Sequence, residues 1–129
     1  SNYKKLIMEL KLTRPLAFID LETTGIKVAT DRIVEICILR VETDGTSKIK
    51  TLRINPEMPI PPEVTAIHGI RDEDVKDAPK FREVAGELAH FMENCDIAGY
   101  NSNHFDIPLL VEEFLRIDMN FELKGRKFF

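Results

Sequence analysis

Asp20 and Glu22 flank Leu21 at the end of the apolar run Leu16-Ala17-Phe18-Ile19. On an extended chain, residues two apart project to the same side, so the two carboxylates face one point in space. Like charges held that close repel, and a proton or a cation must offset them. Oxygen-only ligands favour Mg2+ or Mn2+ over zinc. A pair of polar residues in the turn after a strand makes the same sequence, so the pair alone does not decide. Thr23-Thr24-Gly25 follows directly. A turn with a glycine lets backbone N–H groups and hydroxyls approach a ligand closely. A phosphate or a terminal sugar hydroxyl beside bound metals would fit there, and an ordinary turn is the alternative. The third carboxylate is Asp106, in Tyr100-Asn101-Ser102-Asn103-His104-Phe105-Asp106. It either joins the first two or caps the helix that it opens. Asn101 could orient the loop or a ligand, or simply form a turn. His104 reads as a surface histidine, not as a general base. Ile67-His68-Gly69 could line a nucleotide pocket, with helix capping and packing as the competing account. No G-x-G-x-x-G, P-loop or G-x-S-x-G pattern occurs, so hydride transfer and nucleoside-triphosphate hydrolysis have no support.

These residues need a scaffold. Leu16 to Leu21 is short and almost wholly apolar, which suits a central strand buried on both faces. Arg32 to Val41, rich in Ile and Val, predicts a second strand. Asp44-Gly45 signals a hairpin, and Lys48 to Ile54 alternates as a strand exposed on one face would. The first half is therefore a three-stranded meander. Pro56, Pro59, Pro61 and Pro62 make residues 55–62 a crossover loop. Pro62 to Gly69 predicts a short helix closed by glycine, and Asp72 and Asp74 another helical turn or a cap. Phe81, Val84, Ala85, Leu88, Phe91 and Met92 form one apolar stripe of a helix entered through Asp77 and Pro79. Residues 96–100 predict a short strand and Phe105 to Leu115 a second helix, with Pro108 in its first turn. Arg126 to Phe129 reads as the start of another strand. This order implies an α/β domain with a mixed sheet.

The chain has 129 residues, 43% hydrophobic and 31% charged, enough for one domain with a sizeable core. Its net charge of −4 argues against coating long duplex DNA through a broad basic face. It leaves room for an enzyme that grips one strand end, because bound cations reverse the local field. Cys37 and Cys95 have no C-x-x-C spacing and read as buried, reduced thiols. No apolar run reaches the ~20 residues that span a bilayer. Lys4, Lys5 and Glu9 interrupt any signal-peptide pattern, so a cytoplasmic protein without membrane partners is expected.

Together the segments resemble the DEDD superfamily of exonucleases, in its DnaQ-like branch, which includes the epsilon proofreading subunit of DNA polymerase III. Phe18-Ile19-Asp20-Leu21-Glu22-Thr23-Thr24-Gly25 matches the first motif, D-x-E-T-T-G, behind an apolar strand. Asn55-Pro56, Ile60-Pro61 and Ile67-His68-Gly69-Ile70 follow the pattern between motifs. Gly99-Tyr100-Asn101 with Phe105-Asp106 matches the second. The resemblance runs from about Pro15 to the last residue. It implies a ribonuclease H-like mixed sheet, an antiparallel meander plus parallel strands flanked by helices, over a single domain, residues 1–129. The third motif, H-x-x-x-x-D or Y-x-x-x-D, has no match: the last aspartate, Asp118, has neither His nor Tyr at the required spacing. The expectation is a domain truncated at its C-terminus, without the fourth acid and the usual base, and inactive or weakly active as it stands.

The resemblance also implies a chemistry: 3′→5′ removal of nucleotides by phosphodiester hydrolysis with two divalent cations, Mg2+ or Mn2+. Asp20 would bridge both cations, Glu22 would bind one and Asp106 the other. Thr23 and Thr24 would contact the terminal nucleotide, with His68 near its base or sugar and Asn101 in the binding loop. The implied partners are a single-stranded 3′ end of DNA or RNA and a DNA polymerase. A non-catalytic nucleic-acid or protein-binding module of the same fold is the alternative. A core lacking its last elements would expose Phe128 and Phe129 and favour self-association.

Overall fold

The computed structural model describes Lys5, residues 12–99 and residues 105–129. Strands β1 (Leu16–Thr23), β2 (Ile33–Val41) and β3 (Ser47–Arg53) form the predicted antiparallel meander. β4 (Asp96–Gly99) adds to the other side of β1 in parallel, giving the order β3-β2-β1-β4. Beyond β4, Ile97 bridges Phe128 in parallel, so the C-terminal residues begin a further strand as expected.

Among the described residues, four helices lie between the strands or follow them. Short α1 (Pro62–His68) starts with Pro62 in its first turn and stops at Gly69, whose φ of 78° only glycine adopts without strain. α2 (Asp72–Val75) is a single turn. Its Asp72 accepts the Ile60 N–H at 2.8 Å, which ties down the proline-rich crossover. α3 (Phe81–Phe91) is entered through Lys80, whose N–H goes to Glu83 at 2.9 Å, rather than through Asp77 and Pro79. α4 (Asp106–Arg116) follows β4.

Both long helices bury their apolar stripes on the same face of the sheet. Phe81 and Leu88 of α3, Met92 just after it, and Leu109, Leu110 and Phe114 of α4 share one core with Ala17, Ile19 and Leu21 of β1. Phe81 meets Phe114 edge to face with ring centroids 5.0 Å apart. At about 25 cal/mol per Å2, such side chains each contribute roughly 1.5–3 kcal/mol.

One expectation for β1 is corrected. The strand is buried on both faces only at Leu16 and Ala17; beyond them burial alternates, with Ile19 and Leu21 inside, Phe18 and Glu22 half-covered and Asp20 exposed. The helices cover one face, so charges can stand on the other without being stranded in the core. Cys95 is buried as expected, whereas Cys37 is half-buried on the open face. No helix among the described residues is long and apolar enough to cross a membrane.

Candidate active site at the end of strand β1

Among the described residues, the pairing of β1 with β4 reaches Ile19 opposite Gly99. Further along β1, the Leu21 N–H goes to Asp106 Oδ2 at 3.3 Å. Asp106 is the first residue of α4 and is 8% exposed. The first residue of α4 thus brings the third carboxylate to the far end of β1. Asp106 touches the peptide lying between Asp20 and Glu22.

Those two share the open face of β1. The Glu22 carboxyl is raised above its ordinary value of 4.5, first by burial and then by the charge of Asp20. His68 pulls the other way, and Glu35 adds a further push upward. Glu35 is a residue that the motif reading missed. The antiparallel register sets it directly opposite Glu22, and Arg53 Nε pairs with it at 3.1 Å. Alternation along β2 was the signal available for it.

Thr23 is half-buried and its hydroxyl donates to the Gly25 carbonyl at 2.8 Å. Thr24 lies inside, at 1% exposure. Its hydroxyl donates to Asp31 Oδ1 at 2.8 Å and accepts the Arg32 N–H at 3.0 Å. This placement makes Thr24 a tie within the β1–β2 loop and gives no support to its reading as a ligand contact. Asp31 Oδ2 accepts the Lys27 N–H at 2.8 Å, so one carboxylate closes the loop from inside. Gly25 is needed for that closure: a Cβ there would lie 2.5 Å from Asp31 Oδ2.

His68 closes the site from the C-terminal end of α1. The Ile70 N–H, which can only donate, points at Nδ1 at 3.1 Å. The Thr23 carbonyl, which can only accept, lies 3.0 Å from Nε2. The two partners together select, for the uncharged ring, the tautomer with its proton on Nε2. Both ring nitrogens are committed within the protein, leaving only the ring face and carbon edge for any contact with a nucleotide. Asn101 and His104 lie outside the described residues.

Among the described residues, no three His, Cys, Asp or Glu side chains are already drawn together as a metal cage. The donor set nevertheless suits a divalent cation. It consists of carboxylate oxygens, and burial together with the Asp20 charge opposes ionisation of Glu22, a cost that a cation would relieve.

Comparison with known proteins agrees with this geometry. The RNase_T family model, described as exonuclease, matches residues 17–129. This chain belongs to the RNase_T exonuclease family. The family match begins at Ala17, within β1, and takes in Asp20, Glu22 and Asp106. Among this family member's relatives, DNA polymerase III subunit epsilon of Treponema pallidum is 33% identical over 94 residues, covering 73% of this chain and 43% of that protein. An uncharacterized exonuclease of Escherichia phage 186 is 40% identical over 87 residues, covering 67% of this chain and 43% of that one. The 3'-5' exonuclease DinG of Staphylococcus epidermidis is 30% identical over 108 residues, which cover 84% of this chain and 12% of that protein. The chain thus spans less than half the length of these relatives. In fold it is similar to product-bound exonuclease I, with a TM-score of 0.80 at 18% identity over 92% of this chain and 30% of that one. The fold is ribonuclease H-like, as the resemblance implied.

Proposed function

We propose that this chain forms the metal-binding part of a 3′→5′ exonuclease acting on single-stranded DNA ends. The observation that carries this is Asp106 held against the peptide between Asp20 and Glu22, which gathers the acids of both motifs at one strand end. Asp20, Glu22 and Asp106 would hold two divalent cations, Mg2+ or Mn2+. Those ions, when bound, would activate a water and stabilise the leaving 3′ oxygen. The protein's own part is to fix the three carboxylates and to present Thr23 beside them. Ile26 and Ile67 flank Thr23 and His68 in sequence and are 86% and 85% exposed, which suits apolar contact with bases. DNA rather than RNA is favoured by the relatives named as subunits of DNA polymerase III, and a polymerase is the partner we propose on the same ground. A cytoplasmic location fits two free cysteines.

A non-catalytic binding module of this fold is the second reading. The observation favouring it is that no preassembled three-ligand cage exists among the described residues. One assay separates the two. Labelled single-stranded DNA is incubated with Mn2+ and either this chain or a version extended at its C-terminus, each with and without Asp20→Ala. The exonuclease reading expects 3′-end shortening by the extended protein and a loss of more than ~100-fold on substitution, beyond the 10–100-fold typical of groups outside the ligand set. An inert extended protein, unchanged by Asp20→Ala, would show that the enzyme reading is wrong.

A further inference from the structure

α4 is fastened to the site end of the sheet at two points. The first is Asp106, on the Leu21 N–H. The second is Glu113, seven residues later and therefore on the same face of the helix, about 10 Å along its axis. Glu113 is 1% exposed. Its Oε2 accepts the Ile33 N–H at 3.0 Å, and its Oε1 accepts Arg32 Nε at 2.8 Å and Arg116 Nη1 at 3.1 Å. Arg116 reaches on to the carbonyls of Val28, Ala29 and Asp31, at 2.9, 3.2 and 3.1 Å. The loop that carries Thr24 and Gly25 is thereby tied to the helix that carries Asp106. A buried carboxylate with three donors is costly to disturb, because each donor left behind is stranded. Neither motif includes Glu113, and nothing about catalysis calls for a buried acid two helical turns from the site.

We infer that Glu113 is a positioning residue for the cation site: by gripping Ile33 and Arg32 it fixes where α4 sits along the sheet, and so where Asp106 stands relative to Asp20 and Glu22. The inference rests on the exonuclease reading for the identity of the site, but its mechanical half does not. Sliding α4 by a fraction of an ångström at Glu113 shifts Asp106 by as much, since a helix transmits axial displacement rigidly. Ligands must be held within about 0.5 Å of productive geometry for tight binding.

The test compares the unaltered chain with Glu113→Gln and with Glu112→Gln, a control at the neighbouring, half-buried position. Two quantities are measured well below the unfolding temperature. One is Mn2+ binding, from the loss of the free-ion electron paramagnetic resonance signal. The other is hydrogen exchange of the Leu21 amide, relative to Ile38 in the middle of the sheet, without metal. The expected result for Glu113→Gln is a 10-fold or greater rise in the Mn2+ dissociation constant and Leu21 exchange at least 10-fold faster than any change at Ile38. Glu112→Gln should change neither. If Glu113→Gln slows or speeds Leu21 and Ile38 alike, or leaves Mn2+ affinity intact, Glu113 is merely part of the fold and the inference is overturned. Should that variant not fold, Arg116→Lys keeps the charge while giving up the paired carbonyl contacts, and it must show both effects in the same directions. Absence of Mn2+ binding by the unaltered chain would instead sink the exonuclease reading, with Leu21 exchange still judging the clamp.

Discussion

Replacing Gly25 with alanine would place a methyl carbon 2.5 Å from Asp31 Oδ2 and 2.9 Å from Asp31 Cγ. Carbon and oxygen rest comfortably at about 3.5 Å, so the carboxylate would have to retreat by roughly 1 Å. It now accepts the Thr24 hydroxyl and the Lys27 N–H, both at 2.8 Å. A retreat of that size stretches both beyond bonding range. Hydrogen bonds to a charged acceptor contribute about 1.5–3 kcal/mol each, and the stiffer unfolded chain of the alanine variant offsets about 0.4–1 kcal/mol. Partial relaxation of the loop keeps one of the two bonds in part. The expected net destabilisation is therefore about 2–4 kcal/mol. Urea unfolding followed by circular dichroism measures it directly, from the midpoint at unchanged slope. A double-mutant cycle isolates the cause. In an Asp31→Ala background the three nearest contacts, all atoms of the Asp31 carboxylate, are gone, so Gly25→Ala should then cost less than about 0.5 kcal/mol, giving a coupling of about 2 kcal/mol or more. Equal costs in both backgrounds would refute the close-approach account. So would a cost below about 0.5 kcal/mol in the unaltered chain.

Glu22 supplies a pH prediction. Its raised pKa means that the folded chain takes up a proton before the unfolded chain does. Stability therefore falls as pH rises from 4.5 through the raised folded value, and the penalty is fully present above it. Glu22→Gln should raise stability at pH 7 without metal by about 0.5 kcal/mol or less and flatten the dependence between pH 4 and 7; a destabilised variant in chelator would contradict this. Phe128 and Phe129 are 43% and 42% exposed, and Phe128 joins Ile107, Val111 and Leu123 along a groove of about 470 Å3. We expect weak self-association through this patch, with a dissociation constant on the order of 100 µM. Sedimentation across a wide concentration range should show it, and Phe128→Ser with Phe129→Ser should abolish it; a strictly monomeric profile would count against it.

Much of this was legible beforehand because it is local. The meander, the proline crossover, Gly69 closing α1 and the stripe from Phe81 to Met92 all follow from periodicity and turn chemistry over a few residues. Asp20 and Glu22 could be paired from their spacing alone. What could not be read depends on register and packing. Glu35 gains meaning only once Glu22 is set opposite it. Asp31 and Glu113 act across a loop and across 80 positions of chain, through bonds that no sequence window contains. The open face of β1 was misjudged for a related reason: an apolar run shows that a strand lies centrally in a sheet, but not how far the covering layer extends along it. For Thr24 the motif implies a nucleotide contact, while packing, which no motif encodes, buries the residue at 1% exposure.

The hydrogen bonding of His68 has a consequence for proton traffic. A basic nitrogen near the three carboxylates could have accepted the proton that a nucleophilic water must lose. Here the one free lone pair of the imidazole is spent on the Ile70 N–H, and the remaining nitrogen carries a hydrogen already pointed at Thr23. His68 thereby acts as a spacer between α1 and the end of β1, both ring nitrogens being engaged within the protein. Any proton released beside Asp20 has to leave through a carboxylate, through solvent, or through a group elsewhere in the active molecule. The 15N shifts of the ring, which separate a pyrrole-type Nε2 from a pyridine-type Nδ1, should stay fixed when Mn2+-free protein is saturated with a DNA 3′ end.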